Sequence, residues 1–157
     1  MSKTSKILLP VVVGIMRADE LGFVMSAWKH SYVDWHSGLS NGDVPRGALF
    51  DRVNRDIERI LDRLHTTVYV ARDAEHPVVL HGFACVEDTP ESFALHYACT
   101  TKRSKRLGVC SAILEKALDR VNSKTLVYTS RSRFDKVWED YGMQYAQLGK
   151  WLSGDET

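Results

Sequence analysis

The period of the hydrophobic residues switches at residue 65, and that switch constrains the fold more than any other feature. Before it, Leu49, Val53, Ile57, Ile60, Leu61 and Leu64 form a helical stripe whose polar face carries Asp51, Arg52, Arg55, Asp56, Arg59 and Arg63. After it, residues 67–71, 78–86 and 92–99 are β-branched and aromatic runs separated by short turns holding Asp73, Pro77, Asp88 and Pro90. Three consecutive strands joined this way predict an antiparallel meander. Gly108 then opens a helix with Val109, Ile113, Ala117 and Val121 on one stripe and Cys110, Leu114 and Leu118 beside it, an apolar face wide enough to lie on a sheet.

The flanking segments complete one layered unit. Residues 6–16 read as a buried strand, followed by Asp19 and Glu20 where acids favour a helix start. Leu21, Val24, Met25 and Trp28 predict a short helix ending near His30, and residues 37–47 are rich in turn formers and predict a mobile loop before a helix over about 46–64. Residues 125–129 predict a strand, and 133–141 a short helix with Phe134, Val137, Trp138 and Tyr141 inward and Gly142 as terminator. Residues 143–152 predict a last strand. The order β α α β β β α β α β gives an α/β (α+β) fold, and 157 residues without an internal repeat make it a single domain.

Composition narrows the class. Hydrophobic residues make up 44% and charged residues 26%, which sets disordered chains aside. Lys and Arg number 21 against 20 Asp and Glu, so no global attraction to nucleic acid or to a membrane is expected. The early apolar run from Ile7 to Met16 is broken by Pro10 and Gly14 and falls short of the roughly 20 residues of a membrane span. No small-residue cleavage site follows it, so a signal peptide is not expected. Cys85, Cys99 and Cys110 form an odd set without CxxC spacing, which predicts reduced thiols, no metal and a cytoplasmic location.

The segment LHYACTTKRSKRLGVCSAILEKAL, residues 95–118, carries the chemistry. A strand runs into a loop with Lys102, Arg103, Lys105 and Arg106, and Gly108 then opens a helix. The first amides of a helix lack internal partners and its dipole is positive there, so this arrangement suits a phosphate or pyrophosphate. The same residues also read as a solvated basic turn before an ordinary helix.

KRLGVCSAILEKAL after a strand resembles the central motif, R/Q x x G x G/A, of the GNAT superfamily of acyl-CoA-dependent N-acetyltransferases. Lys105 stands at the R/Q position, Gly108 at the first glycine and Cys110 at the second small position; the lysine and the cysteine depart from the pattern. The order of elements is similar to that fold over almost the whole chain, which implies a mixed, mostly antiparallel sheet of about six to seven strands flanked by about four helices. FDKVWEDYGM, residues 134–143, resembles a segment near the end of the family's fold. SAWKHSY, residues 26–32, looks like part of small acetyltransferases encoded by bacteriophages, which would place the chain in a host cytoplasm.

The resemblance implies acetyl-CoA as cofactor and an amine acceptor, either a small molecule or a protein. Lys105, Arg106, Leu107, Gly108, Val109, Cys110 and Ser111 would hold its pyrophosphate, with Ala98, Cys99 and Thr100 facing the pantetheine. The family's usual acid is a Tyr four positions before the late glycine, where this chain has Trp138; Tyr141 or Tyr145 is then the candidate acid in its place, though each also reads as core packing. For the base, chain order singles out His96 and Glu87, then Glu91. Alternation puts His96 on the face opposite Phe93, Leu95 and Tyr97, where it also reads as a hydrogen-bonded histidine without a catalytic role. His30, Tyr32, Trp35 and His36 fall where this fold lines the acceptor pocket. Two other readings stand beside the enzyme: a non-catalytic CoA-binding or protein-interaction module, and a nucleic-acid binder using the basic loop. Homodimerisation through the last strand or an exposed sheet edge is compatible with all three.

Overall fold

The computed structural model of the chain describes residues 8–40, 45–104, 107–119, 121, 124–132 and 134–154. Its elements are β1 (Val11–Ile15), α1 (Leu21–Ser40), α2 (Arg46–Leu61), β2 (Thr66–Asp73), β3 (Leu80–Asp88), β4 (Ser92–Thr100), α3 (Val109–Leu118), β5 (Thr125–Tyr128), α4 (Asp135–Asp140), β6 (Gln144–Tyr145) and α5 (Leu148–Ser153), with 3-10 turns at Ala18–Glu20 and Lys102–Ser104. The six strands form one sheet in chain order. Pairing is antiparallel from β1 to β4 and parallel from β4 to β6, so the predicted α/β fold and its central meander are both present. No helix among the described residues is long and apolar enough to cross a membrane.

Two cores hold the layers together. Leu49, Val53, Ile57 and Ile60, the stripe of α2, pack with Val24, Trp28 and Val33 of α1 against Val68, Val70, Phe83 and Tyr97 of the sheet. Val109, Ile113, Leu114 and Ala117 of α3 meet Ala71, Ala84, Val86, Phe93 and Leu95. Burying each of these larger aliphatic side chains contributes about 2 kcal/mol, which fixes α3 and its first turn against the meander.

The structure corrects several boundaries. α1 runs on past His30 to Ser40, into the first four residues of the expected loop, because Val33 is fully buried and Tyr32 packs against the same cluster; residues 41–44 of that loop lie outside the described residues. α2 stops at Leu61, and Leu64 is 90% exposed. β3 starts at Leu80, leaving Val78 92% exposed in the turn, and Val137 is on the outer side of α4. The expected last strand shrinks to Gln144–Tyr145, after which Leu148, Trp151 and Leu152, at helical spacing, form α5 and bury Trp151.

Two β-bulges shape the functional end of the sheet. Ala71 pairs with Gly82 and Arg72 with Leu80, leaving His81 as an extra residue of β3. Cys85 pairs with Tyr97 and Val86 with Leu95, leaving His96 as an extra residue of β4. The second bulge breaks the expected alternation. Phe93 and Leu95 lie in the α3-side core, whereas Tyr97 lies in the α1 and α2 side.

Candidate functional site

β4 and β5 part where the second bulge sits. Their ladder runs from Ser92 with Thr125 to Leu95 with Tyr128, and ends in a bond from the Thr129 amide to the Leu95 carbonyl, 3.0 Å. Beyond it β4 continues to Thr100 with β3 on one side only, so the edge from Tyr97 to Thr100 faces open space. Two cavities occupy that space, and both are lined by Ala98, Cys99, Thr100 and Phe134.

The first cavity, about 960 Å³, lies between this edge and the start of α3. Of the residues expected to hold the cofactor, Ala98, Cys99, Thr100, Gly108, Val109, Cys110 and Ser111 line it, joined by Trp138 and Ser104. Leu107 does not line it; its amide donates to the Ser104 carbonyl at 3.3 Å and its carbonyl accepts from Leu9 at 3.0 Å. Lys105 and Arg106 lie outside the described residues. Gly108 caps α3 with φ +82°, and a Cβ there would stand 2.9 Å from Leu8 Cδ2. Only glycine adopts this left-handed conformation freely, and it exposes the first α3 amides, which have no carbonyl one turn back. The donor set therefore fits the phosphate end of acetyl-CoA. Burial pushes the Cys110 thiol up to about 11 and raises Cys85 as well, so neither is a thiolate nucleophile near neutrality.

The second cavity, about 500 Å³, is lined on one side by Ala27, His30, Ser31, Asp34 and Trp35, a single face of α1. Tyr97 and Lys102 also line it; the Tyr97 hydroxyl is 2.7 Å from Ser31 Oγ and its ring stacks on Trp28 at 5.5 Å. His30 and Trp35, two of the residues expected around an acceptor, therefore line this cavity. Tyr32 does not line it: it stacks on His36 at 4.0 Å and packs against the core, where burial raises its phenol. His30 Nδ1 is 2.9 Å from the Ser26 carbonyl, which can only accept, so Nδ1 carries the proton and Nε2 of the neutral ring keeps a lone pair. Trp35 Nε1 is buried without a partner among the described residues.

His96 and Glu87 line neither cavity. His96 is 1% exposed, with Nε2 2.9 Å from Glu87 and Nδ1 2.7 Å from Thr129 Oγ1 across the parting strands. Glu87 also accepts from Arg63 Nε at 2.8 and 2.9 Å and from Trp151 Nε1 at 2.8 Å. Burial alone would raise this carboxyl, but the bonds from His96, Trp151 and Arg63 bring it down to about 2. The carboxylate only accepts, so His96 donates through Nε2, and Thr129 donates to Nδ1. Burial lowers the imidazole against the pull of Glu87, keeping it neutral. Tyr141 caps α4 and packs against the α3-side core.

Tyr97, Ser31, Asp34 and Ser104 went unread in the sequence. Ser31 and Asp34 lie three to four residues along from Ala27 and His30, a spacing visible once α1 is carried past His30. Gly82 was also missed: a Cβ there would stand 2.7 Å from the Cys99 carbonyl and 3.2 Å from Val109. It lets β3, the end of β4 and α3 close together.

The sequence matches no protein-family model, and no curated protein is significantly similar to it. Solved structures do match. A histone acetyltransferase HPA2 and related acetyltransferase from Corynebacterium glutamicum aligns with a TM-score of 0.60 at 14% identity, over 84% of this chain and 83% of that one. The fold is that of the GNAT acetyltransferases. Ribosomal-protein-alanine N-acetyltransferase from Brucella melitensis matches at 0.54 and 20% identity, over 83% and 89%. A predicted acetyltransferase with acetyl-CoA from Clostridium acetobutylicum matches at 0.53 and 13%, over 85% and 89%. In this GNAT fold the two cavities share the end of β4 as a wall.

Proposed function

We propose that the chain transfers an acetyl group from acetyl-CoA to a primary amine by direct attack in a ternary complex. The observation that carries this reading is the shared wall: Ala98, Cys99 and Thr100 line both cavities, so a donor in one meets an acceptor in the other. The α3 amides from Gly108 to Ser111 hold the pyrophosphate, with Lys105 and Arg106 adding charge, and the edge from Ala98 to Thr100 takes the pantetheine arm. Bound acetyl-CoA supplies an activated thioester carbonyl.

The residues around it then position and deprotonate the amine. The amine nitrogen bonds to the carbonyl carbon, the carbon–sulfur bond breaks, and the amine proton passes to a base. His30 Nε2 takes that role, because its lone pair is fixed by the Ser26 carbonyl and it stands in the acceptor wall. His96 and Glu87 act one layer back, holding the point where β4 and β5 part. Trp138 offers no acidic proton, so the sulfur leaves as thiolate, a weak enough base to depart unassisted. The likeness to bacteriophage enzymes rests on residues 26–32 alone, a stretch of α1 that includes His30 and Ser31. Thiol release from acetyl-CoA across a panel of small amines and peptide N-termini tests the reading; release with no amine in the panel contradicts it.

Trp138 in the wall of the first cavity favours a second reading, a module that binds CoA without turnover. It predicts acetyl-CoA binding with no thiol release for any amine.

A further inference from the structure

The bulge in β3 leaves His81 bonded to the 3-10 turn that lines both cavities. His81 Nε2 is 2.8 Å from Asp73 Oδ2, its Nδ1 is 2.8 Å from Ser104 Oγ, and Ser104 Oγ is 2.7 Å from Thr101 Oγ1. Asp73 Oδ1 in turn accepts the amides of Glu75 and His76, each at 2.9 Å. The bond from His81 and those two amides hold the Asp73 carboxyl down at about 2.

That carboxylate sets the direction of the whole chain. It accepts only, so His81 donates through Nε2, and with a single ring proton, placed there, Nδ1 accepts. Ser104 must then donate to His81, and Thr101 must donate to Ser104. With its proton committed inward, Thr101 Oγ1 is left with lone pairs alone. Ser104 lines the first cavity and Thr101 the second. The backbone repeats the tie, since the Thr101 amide donates to the His81 carbonyl at 2.9 Å and the Ser104 amide to the Thr101 carbonyl at 3.0 Å.

We infer that Asp73, His81 and Ser104 form a positioning relay that holds the turn ahead of the phosphate loop and presets Thr101 as a hydrogen-bond acceptor for an N–H group of the ligand in the second cavity. The relay touches no reacting atom. That ligand is the amine of the proposed reaction, so Thr101's role rests on the proposed function, but the relay itself exists in the ligand-free protein.

The test therefore uses both states. In the ligand-free protein, nitrogen-15 spectra of the imidazoles should show His81 as the Nε2–H tautomer, its signals assigned by their loss in His81→Gln. Asp73→Asn keeps the Oδ1 acceptor of the turn but offers an amide donor to Nε2, so His81 should switch to Nδ1–H. Ser104→Ala should speed amide exchange at Leu107 and weaken acetyl-CoA about tenfold, the loss of one buried hydrogen bond, with Asp73→Asn changing both in the same direction. An unchanged tautomer in Asp73→Asn, or parent-like exchange in both variants, overturns the relay. A parent protein that shows the relay by these spectra yet binds no acetyl-CoA overturns the cofactor reading instead.

Discussion

His81 and His96 are each the extra residue of a β-bulge, and each joins a carboxylate to a hydroxyl: Asp73 and Ser104 for the first, Glu87 and Thr129 for the second. A bulge frees one side chain from the alternation of its strand, and here both freed side chains are used as bridges. His96 closes the base of the cleft where β4 leaves β5. His81 closes the turn at the cleft's far end. Between them lies the stretch of β4 from Tyr97 to Thr100 that lines the cavities.

The Glu87 network makes the protein sensitive to acid. Unfolded, His96 takes up a proton below about 6.5 and Glu87 below about 4.5; folded, both resist protonation. The unfolded state thus binds more protons, so stability is full above 6.5, falls as pH drops through that value, and falls again from 4.5 towards 2. Asp73, also held at about 2, adds to the lower step. Melting curves from pH 7 to pH 3 should show both steps. Glu87→Gln should cost about 3 kcal/mol at neutral pH and shrink the lower step, because it leaves Arg63 and His96 without their shared anion.

Gly82→Ala should damage binding from a distance. Its methyl would meet the Cys99 carbonyl at 2.7 Å, and a backbone atom cannot swing aside as a side chain does. Overpacking of this kind costs about 1–3 kcal/mol and here displaces the edge of β4. A fall in melting temperature together with weaker acetyl-CoA binding is the expected pair of results, read by calorimetry.

His30→Gln should lower kcat about a hundredfold, the usual contribution of a positioned base, while leaving acetyl-CoA affinity near that of the parent. Steady-state kinetics with a saturating amine measures the first and calorimetry the second, and a kcat near that of the parent would assign the proton to another group.

Much of this was legible in the sequence, for identifiable reasons. The meander and α3 announce themselves by period, and Gly108 by its place between a basic loop and an apolar helix face. The bulges do not, because one inserted residue leaves the local composition unchanged. Strict alternation therefore sends Tyr97 to the same face as Phe93 and Leu95, when His96 has already shifted it to the other. α1 runs past His30 because Val33 reaches the core, a contact made with α2 and the sheet and unreadable from turn-forming residues nearby. The relay joins positions 73, 81, 101 and 104, which only the fold brings together.

The central claim is that the cavity between β4 and α3 takes acetyl-CoA, and calorimetric titration of the purified protein tests it most directly, run beside Gly108→Glu. The variant forces a side chain into a left-handed position and sets a carboxylate among the amides that would hold phosphate. The account predicts micromolar binding by the parent and none by the variant; a parent protein that fails to bind acetyl-CoA, or a variant that binds it equally well, would contradict it.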